Sequence, residues 1–138
     1  ACRNANTHHF EQLEQAVLQA EKTLEQEPNQ LTNYQLLHMD YQFHRLLAEG
    51  AGNAWLVQIL DQVFDKMALL RLRTMQQNPG VLEIRGEHRR IFEAVRDRNP
   101  IAATQAIQYH LIASKDRVIQ EIRQLEGSPE RGSQKSSI

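Results

Sequence analysis

Apolar residues along the 138-residue chain recur at helical spacing in five successive stretches, and no stretch of useful length alternates as a strand would. Phe10, Leu13, Val17, Leu18 and Leu24 predict a first helix, capped at Thr7 and running to about Gln26, where Glu27-Pro28-Asn29 breaks it. Leu36, Leu37, Met39, Phe43, Leu46 and Leu47 predict a second over 31–48, stopped by Gly50-Ala51-Gly52. Asn53 caps a third over 54–77, with Trp55, Leu56, Ile59, Leu60, Val63, Met67, Leu70 and Met75 as its apolar face. Asn78-Pro79 restarts the chain into a fourth helix whose inward stripe is Ile84, His88, Ile91, Phe92 and Val95. Asn99-Pro100 opens a fifth, to about Leu125, with Ala103, Ala106, Ile107, His110, Leu111, Ser114 and Val118 inward. The expected fold is all-α, an antiparallel bundle of about five to six helices over 1–126. The polar run EGSPERGSQKSSI leaves 127–138 as a disordered tail.

The stripes carry polar interruptions. Asp40 and His44, at i and i+4, share one face of the second helix. His88 lies eleven residues before Asn99 and His110 eleven after it. In a hairpin the two imidazoles therefore stand level, roughly 15 Å from the turn. Other histidines carry no such signal: His8 and His9 start a helix among polar residues, and His38 shares a polar face with Tyr41, Gln42 and Arg45.

Composition narrows the function. Hydrophobic residues make up 41% and charged residues 24%, as in an ordinary soluble domain large enough for its own core. A net charge of −1 gives no basic face for nucleic acid. The arginines at 85, 89, 90, 96 and 98 alternate with Glu83, Glu87, Glu93 and Asp97, which reads as a solvated face. One cysteine, no signal peptide and no apolar run of membrane length point to a cytoplasmic protein with no membrane partner. Ala1 to Ala5 reads as the end of a helix, so a longer parent chain with an upstream domain is expected. There is no glycine-rich phosphate loop and no nucleophile set, so a catalytic residue is not assigned.

Asp40, His44, His88 and His110 each replace an apolar residue on an inward face. A single inward histidine is usually a satisfied core residue, and Asp40 with His44 could be a buried hydrogen-bonded pair. Three imidazoles and a carboxylate together would cost several kcal/mol if left uncompensated. One divalent cation satisfies all four, with Zn the best match and Ni, Mn or Fe also suited to nitrogen and oxygen donors. Arg71 and Arg73 are weaker candidates for holding an anionic ligand, since arginines near a helix end are usually solvated or cap it.

The segment MDYQFHRLLAEGAGNAWL and the later EHRRIFEAVRDRNPIAATQAIQYHL resemble the ligand-binding FCD domain of GntR-type transcriptional regulators of the FadR subfamily, over about residues 6 to 125. The resemblance implies an FCD-like bundle in which Asp40, His44, His88 and His110 hold a divalent metal at the floor of an effector pocket. It further implies a small carboxylate or sugar-acid effector, a homodimer and no enzymatic activity. DNA binding is expected only of a parent protein, through an N-terminal winged helix-turn-helix. That domain, and most of the family's first ligand-domain helix, has no counterpart in these residues. Two rivals stand beside this reading: a helical metalloenzyme using a three-histidine site, and a structural helical module with ordinary core histidines.

Overall fold

The computed structural model describes residues 1–82 and 85–127. Helix α1 (Thr7–Leu24) is capped by Asn6 rather than Thr7. The Asn6 side chain accepts from the His9 amide at 3.0 Å, and the His9 ring accepts the Asn6 amide in return. Asparagine is the better cap, so Thr7 sits one residue inside the helix. Helix α2 (Gln30–Gly50) opens on a reciprocal cap between Asn29 and Thr32 and runs two residues beyond the expected stop at 48. The turn is made instead at Gly52, whose positive φ of 72° is the conformation glycine permits.

Helix α3 (Ala54–Gln77) keeps the expected bounds, with Asn53 accepting from the Leu56 amide. Asn78-Pro79 opens only a 3-10 turn (Pro79–Val81), and α4 (Arg85–Arg96) begins later. Helix α5 (Pro100–Gly127) runs about two residues past the expected end near Leu125, so Gly127 belongs to the helix and not to the tail. The remaining tail, and the expected roles of Glu83 and Ile84, lie outside the described residues. The described residues contain no strand and no helix long and apolar enough to cross a membrane.

The helices close a ring in the order α1, α2, α3, α5, α4 and back to α1. Short connections make successive helices antiparallel neighbours. The joint between α3 and α5 is the sparsest in the ring. Two apolar clusters fill the interior. Leu13, Val17, Phe43, Ile91, Phe92 and Val95 form one, and Ala20, Leu36, Leu37, Met75, Val81 and Leu82 the other. On α2 and α5 the inward polar residues fall between contributions to these two clusters, which places the site in the middle of the bundle.

The apolar faces expected of α3 and α5 are only partly covered. Trp55 is 73% exposed, Leu111 55%, and Val63, Met67 and Leu70 about 40%. A helical stripe records which surface could be buried, and whether a neighbour covers it depends on the rest of the fold.

Candidate metal centre

The structure brings Asp40, His44, His88 and His110 together, all four buried, with one ligand-type atom from each lying within 4.8 Å of all the others. Helix α2 supplies Asp40 and His44 one turn apart, α4 supplies His88, and α5 supplies His110. His44 Nε2 lies 3.1 Å from His110 Nε2, and His88 Nε2 lies 3.2 Å from Asp40 Oδ1. His44 Nε2 is 3.6 Å from Asp40 Oδ1, too far for the core hydrogen bond that the pair could have made. Phe43 stacks on the His88 ring at 4.1 Å between centroids and seats it from the apolar side.

The level placement of His88 and His110 is realised, with ring centroids 4.9 Å apart across the α4–α5 hairpin. Arg98, at φ 51°, turns the chain, and the Asn99 side chain caps α5 by accepting from the Ala102 amide. Inserting one residue at Asn99-Pro100 would rotate His110 by about 100° around its helix. The inserted variant is expected to keep its helix content and lose metal affinity by isothermal titration. Unchanged affinity would show that the turn does not set the register of the site.

Charges around the four residues are paired. Arg71 donates to Asp40 Oδ2 at 2.6 Å, and Glu87 Oε2 lies 2.8 Å from His110 Nδ1. Arg117 donates to both Glu87 oxygens at 2.8 Å and to the Val81 carbonyl at 3.0 Å. Burial alone would raise the Asp40 pKa, yet the Arg71 guanidinium and the imidazoles of His44 and His88 hold it well below the usual carboxylate range. Burial likewise opposes ionisation of Glu87, and Arg117 with His110 outweighs it, so Glu87 is also lowered. Burial lowers His88 despite the Asp40 carboxylate. It lowers His110 to about 4, reinforced by the charges His44 and His88 would carry and opposed by Glu87. His88 and His110 are therefore held neutral near pH 7, the form that can donate a lone pair.

This donor set fits a divalent cation. Asp40 Oδ1 and His88 Nε2 are buried and face each other at hydrogen-bond distance without hydrogen-bond geometry, so neither has a partner. Buried polar atoms rarely stay unpaired, and three imidazole nitrogens with one carboxylate oxygen match the preferences of zinc and of the neighbouring transition metals.

A cavity of about 410 Å³ opens between α3 and α5 onto these residues, with Asp40, His44, Arg71 and His110 at its polar end. Arg71 therefore lies at the site, buried, while Arg73 is exposed and does not line the cavity. The expectation of a solvated charged face holds for Arg85, Arg90 and Arg96 but fails for Glu87, which is only 5% exposed. Arg98 is held as well, donating to the carbonyls of Cys2 and Ala5. Glu87 and Arg117 were not legible as site residues. The available signal was Arg117 at i+7 from His110, which places both on one face of α5.

Similarity to known proteins agrees with this architecture. A family model described as the FCD domain matches residues 1–113. An uncharacterized HTH-type transcriptional regulator, YdhC of Bacillus subtilis (strain 168), is 30% identical over 98 residues, which is 71% of this chain and 42% of that protein. The HTH-type transcriptional repressor NanR of Klebsiella aerogenes is 36% identical over 83 residues, 57% of this chain and 31% of that protein. The chain thus spans less than half the length of these curated relatives. No solved structure matches it significantly. With its family model covering most of an all-helical bundle, the chain belongs to the FCD domain family of GntR-type transcriptional regulators and is a regulatory domain rather than an enzyme.

Proposed function

We propose that this domain senses a small carboxylic acid through a divalent metal held by Asp40, His44, His88 and His110. The observation that carries the reading is the convergence of four buried ligand-type atoms at the end of a cavity. Charge supports an acidic effector. Asp40 balances Arg71 and Glu87 balances Arg117, so with neutral imidazoles a divalent cation leaves two positive charges unmatched. An incoming carboxylate reduces that excess.

When bound, the metal supplies a Lewis-acidic anchor for the acid. The chain's own residues do the rest. Arg71 turns Asp40 so that Oδ1 faces the imidazoles, and Phe43 seats His88. The cavity walls include Leu60, Val63, Met67, Leu70, Leu111 and Val118. Ser114 and Lys115 are the further polar residues along those walls, so an acid with an aliphatic body fits better than a sugar acid, whose several hydroxyls would outnumber their partners. Such a ligand bridges the sparse α3–α5 joint and draws the two helices together. In a cytoplasmic homodimeric parent protein that shift alters the spacing of two DNA-binding heads outside this chain.

The test uses the chain purified without chelator. Stoichiometric metal is expected by elemental analysis, and hexanoate should raise the melting temperature of the metal-loaded protein more than gluconate does. Absence of metal after exposure to Zn²⁺, Ni²⁺ and Mn²⁺, or equal acid stabilisation with and without metal, would sink the reading.

A further inference from the structure

Beyond the four candidate ligands, the bundle buries a second charged assembly. Glu87 on α4 and Arg117 on α5 contribute nothing to the cavity lining, yet Glu87 is 5% exposed and touches His110 through its outward-facing nitrogen. We propose that Glu87 is the positioning residue of the site, fixing His110 in the tautomer whose bare Nε2 faces the other ligand atoms, with Arg117 holding Glu87 in place.

The chemistry of the contact is directional. An ionised carboxylate only accepts hydrogen bonds, so His110 Nδ1, 2.8 Å from Glu87 Oε2, must carry the ring proton. The neutral imidazole then has its lone pair at Nε2, the atom 3.1 Å from His44 Nε2. The two-pronged contact from Arg117 keeps Glu87 ionised and fixes its plane. Arg117 is itself tied by its Nε to the Val81 carbonyl, so the guanidinium cannot swing away without breaking that bond. His110 is thereby oriented by three elements: its own helix, α4, and the 3-10 turn before α4. An ordinary salt bridge would need only Glu87 and Arg117; the third contact, to a ring that faces the site, is what gives this pair a role there.

This role rests on the metal reading for its binding readout alone, because the tautomer is readable in the metal-free chain. Long-range ¹H–¹⁵N correlation spectra of the whole 138-residue chain should show His110 as the Nδ1–H form. Observing the Nε2–H form in the wild type overturns the proposal without any variant. Glu87→Gln can donate from its amide and should admit the Nε2–H form, with Zn²⁺ affinity reduced about 10–100-fold in competition titrations. Glu87→Asp keeps the charge and should retain the Nδ1–H form. A wild-type His110 spectrum in Glu87→Gln, with affinity within about twofold, also overturns it. A chain that takes up no Zn²⁺ defeats the metal reading, and the ring spectra still decide the role of Glu87.

Discussion

Replacing Asp40 with alanine is expected to lower the stability of the metal-free domain by about 3–5 kcal/mol and to abolish metal uptake. Asp40 is 1% exposed and its Oδ2 receives the Arg71 guanidinium at 2.6 Å, so the substitution leaves a buried cation without its partner. Arg71 also borders the cavity, where water can reach it, and that places the loss at the lower end of the range. For a domain of this size the melting temperature should fall on the order of 10 °C. Arg71→Leu makes the converse defect, an unpaired buried carboxylate. A divalent cation at the site should repair much of that second defect and none of the first. Melts of both variants with and without Zn²⁺ measure the difference. An Asp40→Ala protein within about 1 kcal/mol of wild type would show that this pair does not hold the centre of the bundle together.

Metal binding itself should appear as stability. A metal present at 100 times its Kd stabilises the folded state by ~2.7 kcal/mol, provided that it ignores the unfolded chain. The loaded domain should therefore melt several degrees higher, and excess chelator should remove the increment. His44→Ala is expected to erase the metal-dependent increment while costing the metal-free protein less than Asp40→Ala does. His44 stands beside the cavity, 8% exposed, and its nearest polar contact is another imidazole. No buried counter-charge is stranded when it is removed. Calorimetry of the two proteins with Zn²⁺ and with chelator decides the matter. An increment that survives His44→Ala unchanged would place the metal elsewhere.

Much of this centre was readable along the chain because helical phase is local information. Asp40 and His44 share a face by spacing alone, and the Asn99-Pro100 turn with equal arms on either side sets His88 against His110. Caps were readable within a residue, as the exchange of Thr7 for Asn6 shows. Less was readable between Asn78 and Arg85, where a proline signal that commonly starts a helix started only a 3-10 turn.

Long charged side chains escaped the reading for a different reason. Glu87 lies among alternating charges that resemble a solvated face, and it is buried because Arg117, thirty positions away, is there to meet it. Arg71 sits near a helix end where arginines usually face water, and it turns inward because Asp40 needs a counter-charge. Such side chains reach several ångströms in many directions, so their phase on the helix does not name their partner.

The sequence by itself determined five helices, the bounds of all but the fourth to within about two residues, and the four inward polar positions, since each follows from periodicity and local hydrogen bonding. Only the tertiary structure decided which charges neutralise which, that the α3–α5 joint stays open as a cavity, and that Glu87 and Arg117 stand behind His110. Those outcomes depend on pairings between helices far apart in the chain, where burial makes an unmatched charge costly and so selects a single arrangement.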